Sequence, residues 1–267
     1  MELSSDVIQF INENNCRFIS LKFLGENGIL NQIDLSVNNI PMLKIILNQK
    51  NIDLKPIKCF LDPFRSAPTT NIFCIKPAIN FIRDAIIEFE NIDDLTAEIS
   101  FWVLGDDMLD KTNLLLADPI DLNANLRAEI IQCLENIGIL TTFHYHGSTK
   151  NESVIGIRGK TLLNLADNMI ITNYIIDNCA ASYGKKVLFN ISKKANLNLL
   201  VLYSSKVSND FYSKLITRIN KVCSYYTNIS QYKFEILKHN DYPYQDGLLF
   251  NIEYNKNFII YNLFKNL

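Results

Sequence analysis

The sequence contains no run of about eighteen apolar residues, the length that a membrane-spanning helix needs. Its nearest clusters, such as Met169 to Ile171, are interrupted by Asn, Asp and Thr. The opening MELSSDVIQF has no basic start leading into an apolar stretch, so no secretory leader is expected. There is also no dense run of Lys or Arg, and the formal charge is −2. Nucleic acids and acidic membranes are gripped mainly by clustered basic side chains, so neither is an expected partner. Six cysteines (Cys16, Cys59, Cys74, Cys133, Cys179 and Cys223) are scattered without a C-x-x-C pair. That spacing suits free thiols in a reducing compartment better than a disulfide framework or a zinc site, and the cytoplasm is the expected location. No G-x-G-x-x-G, G-x-x-x-x-G-K-[ST], H-E-x-x-H or G-x-S-x-G occurs, and there is no internal repeat, low-complexity segment or flexible linker.

What is present is a globular composition. The 267 residues are 48% hydrophobic and 20% charged, enough for one large domain or two smaller ones. Serines 4 and 5 precede a short amphipathic helix, DVIQFINEN. Two extended runs, CRFISLKFL and ILNQIDL, flank the Gly25 to Gly28 turn and predict a hairpin. Pro41 opens a helix to about Leu47, and strands follow at Ile57 to Leu61 and Asn71 to Ile75. Strand pair, helix, strand pair is the order of a small β-grasp unit. Beyond Pro77 the pattern predicts helices at 78–90, 123–136, 161–183 and 210–225, with Gly138 and Gly184 as helix stops. Strands are expected at 96–104, 141–146, 153–158, 186–191, 197–203, 248–254 and 258–261. The fold class is α/β (α+β), with a β-grasp-like domain over 1–76 and a second domain over 77–267.

Two segments could carry chemistry. A Glu-x-Glu on a strand places two carboxylates on one face, where they can hold a divalent cation. Here the run is Glu98-Ile99-Ser100, which leaves one carboxylate; a lone polar residue on a half-exposed strand is the competing reading. FHYH, Phe143 to His146, puts His144 and His146 on one face of a strand. Such a pair can join a transition-metal site or simply hydrogen-bond, and without a neighbouring carboxylate or thiol it is incomplete. Cys133 and Cys179 fall on apolar helix faces and read as core. Lys185, Lys186, Lys193 and Lys194 could meet phosphate or form a solvated surface.

The ordered set of segments resembles the glutamine synthetase family. CFLDPFRSAPTTNIFC (Cys59 to Cys74) is similar to the family's strand, Asp-Pro-Phe, strand passage. TAEISFW is similar to G-P-E-x-E-F-F, and DLNANLRAEIIQCLENIGILTTFHYH (Asp121 to His146) to the helix and strand that end in a His-rich stretch and a metal-binding Glu. LADNMIITNYIIDNCAASYGKKVLF (Leu165 to Phe189) is similar to the long helix that leads into Gly-Lys. The segments keep the family order from Cys16 to Phe189. The resemblance implies a β-grasp domain before a shortened catalytic domain with a mainly antiparallel sheet and flanking helices. It also implies homo-oligomers, with a nucleotide or amino acid as ligand.

The departures bear on activity. Of the family's metal-binding glutamates, the first falls on Glu98, the second on Ser100 and the third on His146. The one eight residues further on falls near Val154, or is represented by Glu152. The Asp-Gly-Ser-Ser loop has no counterpart between Leu47 and Ile57, and NISKKANLNLLVLYSSK stands where the Gly-Ser-Gly-Met-His-x-His run is expected. Phosphoryl transfer depends on metal ions and basic groups around developing charge, and loss of one such donor costs on the order of a hundredfold. The resemblance therefore implies a divergent homologue without efficient ligase activity, serving as a binding, regulatory or assembly protein. Its alternative is an active ATP-dependent carboxylate–amine ligase with relocated ligands. In that version Glu98, His146 and Glu152 would hold Mg²⁺ or Mn²⁺, His144 would stand beside them, and Arg158 would meet the ATP phosphates. A small-molecule sensor is a third reading.

Overall fold

The computed structural model describes residues 5–24, 30–48, 54–75, 95–105, 111–189, 200–203, 233–237 and 247–251. The chain divides into two compact units, Met1–Ile79 and Asn80–Leu267.

In the first unit, α1 (Ser5–Glu13) leads into β1 (Phe18–Leu24) and β2 (Leu30–Ser36). A 3-10 turn then enters α2 (Ile40–Asn48), and β3 (Lys55–Leu61) and β4 (Thr69–Ile75) follow. The sheet order is β2-β1-β4-β3, with the two central strands parallel and both outer pairs antiparallel. Helix α2 lies between the two strand pairs in the chain, as the sequence order predicts. It begins one residue before Pro41, where a missing N–H costs nothing because the first turn has no intrahelical acceptor for it. The predicted turn at Gly25 to Gly28 lies outside the described residues.

Alternation along β1 sorts its side chains. Ile19 and Leu21 join Ile11, Leu43, Leu47, Leu54, Ile72 and Cys74 in one apolar core. Ser20 and Lys22 face the other way and are nevertheless buried. Lys22 Nζ donates to Ser20 Oγ at 2.6 Å and to Asn71 Oδ1 at 2.7 Å, and lies 3.9 Å from the Asp62 carboxylate. Asp62 also accepts from the Phe64 N–H at 2.9 Å and faces Arg65 Nε at 3.7 Å. Burial disfavours the ammonium and brings the Lys22 pKa down to about 8 from 10.5, with Asp62 opposing the shift and Arg65 adding to it.

The second unit holds β5 (Leu95–Leu104), the helix labelled here α3 (Ala124–Asn136), β6 (Thr141–His146) and β7 (Glu152–Gly159). Helix α4 (Leu162–Ser182) then leads to β8 (Lys186–Leu188), β9 (Leu200–Tyr203), β10 (Lys233–Leu237) and β11 (Gly247–Asn251). Strand order is β10-β11-β9-β5-β7-β6, every pairing is antiparallel, and β8 also pairs with β5. β10 was not expected from its sequence, and residues 197–199 and 252–254 of the strands expected at 197–203 and 248–254 lie outside the described residues. The predicted helices at 78–90 and 210–225 and the strand at 258–261 lie outside the described residues.

Both described helices of this unit end as their glycines predict. Gly138 and Gly184 take positive φ of 76° and 68°, and their N–H groups close on the Glu135 and Ala181 carbonyls at 2.9 Å. Thr161 caps α4 by accepting from the Asn164 N–H at 3.1 Å. Helix α4 buries Leu165, Ile171, Ile175, Ile176 and Cys179, and the sheet contributes Ile99, Phe101, Ile155 and Ile157 to the core.

Arg127 on α3 is the largest fully buried side chain among the described residues. Its guanidinium pairs with both oxygens of the buried Asp121 carboxylate and also donates to Ser153 Oγ at 3.3 Å on β7. Asp121 further accepts from the Asn123 N–H at 3.1 Å.

Two outcomes are expected. Between pH 8 and 10.5 the unfolded chain carries the Lys22 proton and the folded chain does not, so this group's contribution to stability is lowest below pH 8 and is recovered as pH rises. Urea unfolding of wild type compared with Lys22→Met should show that difference rising by at most about 1.4 kcal/mol per pH unit in this window. Arg127→Leu strands a buried carboxylate and should cost about 3–5 kcal/mol, while the Arg127→Leu/Asp121→Leu double variant should cost less than the two single variants combined. Denaturant midpoints of the four proteins check this.

Candidate functional site

The pairing register decides which candidates can meet. Glu98 on β5 stands opposite Gly156 on β7 and Val201 on β9. Period-two alternation puts Thr96, Glu98, Ser100 and Trp102 on one face, together with Glu152, Val154, Gly156 and Arg158 of β7. The opposite face carries Ile99, Phe101, Ile155 and Ile157, the side on which α3 and α4 pack. Thr96, Glu98 and Ser100 are buried although they lie on the side away from these helices.

Strand β6 aligns Tyr145 with Val154, and His144 and His146 with Ile155 and Ser153. Tyr145 therefore shares the Glu98 face, and its hydroxyl donates to Glu98 Oε2 at 2.9 Å. To do so the ring reaches from β6 past β7, whose Gly156 stands opposite Glu98. A Cβ at Gly156 would stand 2.1 Å from Thr142 Oγ1 and 3.1 Å from Phe143 Cε2, so only glycine fits beneath this segment. The Phe143 and Tyr145 rings are 5.8 Å apart and tilted. A register shift between Thr141 and His144 accompanies this close approach.

The histidines go the other way. His144 Nδ1 accepts from Arg127 Nε at 3.4 Å. Burial, with the Arg127 charge beside it, lowers the His144 pKa and keeps the imidazole neutral, which suits an acceptor. His146 is buried, with Nδ1 2.9 Å from the Asn113 carbonyl and 2.7 Å from that of Gly147.

Glu152 shares the Glu98 face but is four strand positions away, about 13 Å along the strand. Its Oε2 accepts from the Thr149 N–H and Oγ1, each at 2.9 Å, and the Thr149 hydroxyl in turn accepts from Trp102 Nε1 at 2.8 Å. That carboxylate organises the β6–β7 turn, where Gly147 leaves room for it: a Cβ there would lie 2.3 Å from Glu152 Cδ.

The expected metal set of Glu98, His146 and Glu152 is thus not brought together. His146 is on the wrong face, and Glu152 is too far away and engaged in its turn. Among the described residues no group of three or more His, Cys, Asp and Glu could hold a metal ion. These residues do not fit the Mg²⁺ or Mn²⁺ that a nucleotide-dependent ligase needs, which calls for several oxygen ligands at one point. Arg158 does share the Glu98 face: it stands opposite Thr96, two register positions along from Glu98 and Gly156, and its side chain is exposed. Lys185 donates to Asn123 Oδ1 at 3.0 Å, while Lys193 and Lys194 lie outside the described residues. Sequence reasoning missed the Tyr145–Glu98 contact. Tyr145 alternates with the two histidines, so the signal was the same period-two argument applied to the residue between them.

A helix-backed antiparallel sheet with a buried carboxylate on its far face, preceded by a small mixed sheet, defines a glutamine synthetase-like framework. The comparisons agree. The family model for the glutamine synthetase catalytic domain matches residues 82–198. A glutamine synthetase of Azospirillum brasilense is 23% identical over 252 residues, covering 69% of this chain and 54% of that protein. A 3-hydroxylaminophenol mutase of Cupriavidus pinatubonensis is 39% identical over 74 residues, 27% of this chain and 15% of that protein. The cryo-electron microscopy structure of Plasmodium falciparum glutamine synthetase has the same fold, with a TM-score of 0.65 at 11% identity, covering 99% of this chain and 74% of that one. Together these matches support a divergent, partial-length member of the glutamine synthetase family. It spans about half the length of the curated relatives that it matches most extensively, 54% and 55%.

Removing the Tyr145 hydroxyl leaves Glu98 Oε2 without that donor. Tyr145→Phe should cost about 1–3 kcal/mol by equilibrium urea unfolding, and much less in a Glu98→Gln background.

Proposed function

We propose that this chain is a glutamine synthetase-like protein without efficient ligase activity, acting as a binding, regulatory or assembly protein. The observation that carries the reading is the state of Glu98. It is the one family metal-binding glutamate kept at its aligned position, Ser100 and His146 replace two others, and its carboxylate takes a hydrogen bond from Tyr145. A lone carboxylate tied to a phenol is a poor anchor for a triphosphate-bound cation, which needs several oxygen ligands and surrounding positive charge. The remaining buried polar face is suited to a small polar ligand such as an amino acid or a nucleotide. Self-association into a homo-oligomer is part of the same proposal, by analogy with the family. Among the described residues no helix is long and apolar enough to cross a membrane.

The second reading, an active ATP-dependent carboxylate–amine ligase, draws on Arg158. Its exposed side chain on the Glu98 face supports contact with an anion. It needs its remaining ligands to come from elsewhere.

Phosphate release with ATP, Mg²⁺, glutamate and ammonia separates the two. Assayed beside an intact family enzyme, this protein should turn over at least about a hundredfold more slowly. Glutamate-dependent turnover near the intact enzyme's rate, abolished by Glu98→Gln, would overturn the proposal. Titration calorimetry with glutamate and with ATP reports whether the face still binds either, and light scattering reports the oligomeric state.

A further inference from the structure

The strongest chemistry-bearing cluster away from the Glu98 face is a pair of thiols between α3 and α4. Cys133 lies in the second half of α3 and Cys179 near the end of α4, 46 positions later in the chain. Their sulfurs are 3.9 Å apart, with the Cys179 thiol directed at Cys133 Sγ. Both are free thiols, Cys179 buried and Cys133 half-buried. The two helices pack directly on each other, so the sulfurs are held in contact by the core rather than by a loop.

From this geometry we infer that Cys133 and Cys179 form a redox modification site, in which a peroxide oxidises the pair to a reversible disulfide that staples α3 to α4. The two sulfurs have different roles. The half-buried Cys133 is the one that a small oxidant can reach. The hydrogen bond from Cys179 lowers the Cys133 pKa and favours its thiolate, while burial and the nearby Glu129 oppose this. Cys179 keeps its proton, because donating that hydrogen bond and being buried both push its pKa up. Glu129, one turn before Cys133 on α3, and Tyr183, which hydrogen-bonds Glu129 from the end of α4, are the other ionisable groups facing the pair.

The chemistry balances with hydrogen peroxide as oxidant. The Cys133 thiolate attacks one peroxide oxygen, the O–O bond breaks, and hydroxide leaves to give a sulfenic acid at Cys133. Cys179 Sγ then attacks the sulfenic sulfur, the S–O bond breaks, and water departs with the Cys179 proton. Two thiols and one peroxide become one disulfide and two waters, and a dithiol reductant reverses the change. Exposure, thiolate character and an adjacent resolving thiol are the three features that mark oxidation-sensitive cysteines. The other described cysteines do not combine them: burial raises the thiol pKa of Cys59 and Cys74 to about 12.

The test uses the full chain. It is reduced, treated with stoichiometric hydrogen peroxide, alkylated and digested with trypsin without reductant. Mass spectrometry should find peptides 128–150 and 161–185 joined and two hydrogens lighter than their sum. Closing a loop of this size should raise Tm by several degrees, on the order of 5 °C. The rise should disappear with dithiothreitol and be absent in Cys133→Ser and Cys179→Ala, whose Tm should not respond to peroxide. Cross-links that instead join Cys16, Cys59 or Cys74, over-oxidation of Cys133 with Cys179 still alkylatable, or no reaction at either thiol would each overturn the inference.

Discussion

A guanidinium buried in a protein core costs several kcal/mol unless its planar set of donors is matched, and Arg127 makes four hydrogen bonds to three partners. Asp121 takes the end of the fork, Ser153 adds an acceptor from β7, and His144 adds one from β6. Three pieces of chain are thereby tied together: the segment approaching α3, the helix itself and the β6–β7 pair. The pairing draws His144, and with it the alternate position His146, to the helix-covered side of the sheet. Tyr145 must then face the other way, where Glu98 waits. The chemistry on the far face is a consequence of an ion pair on the near one.

That division of the sheet into two faces explains why the framework persists while Glu98, His146 and Glu152 stand apart. A strand can offer ligands to one site only from alternate positions, and two strands only in matching register. With Ser100 beside Glu98, the central strand offers one carboxylate. His146 has been taken by backbone carbonyls on the opposite face, and Glu152 by its own turn. His146 and Glu152 are satisfied locally, as buried polar groups must be, and neither is left to share a cation with another group. The small unit shows the same economy. Lys22, buried beside Ser20, Asn71 and Asp62, is held by neighbours that balance it incompletely, and its pKa falls.

Much of the architecture was legible in the residues. Gly138 and Gly184 ended the helices where they were expected to, Thr161 opened the long helix, and the order of strands and helices pointed to the glutamine synthetase framework. The strand over Lys233–Leu237 was not legible, because its five residues are too few for alternation to separate a strand from an irregular segment. The placement of the metal candidates was not legible for a different reason. Glu98, His146 and Glu152 were grouped by their order along the chain, but whether two strands turn given side chains to the same face depends on their pairing register, and alternation within one strand does not supply it. The Cys133–Cys179 contact was likewise only half visible, since each thiol read as core on its own helix and nothing local announced that the two would touch.

By itself the sequence determined most of the described elements, their order and the single carboxylate in Glu98-Ile99-Ser100, because helix stops, caps and alternation act over a few neighbouring residues. Only the tertiary structure decided which face each candidate occupies and which groups already have partners. Those are properties of register and packing between segments tens of residues apart, and one shift of a single position would have turned every side chain of β6 to the other side.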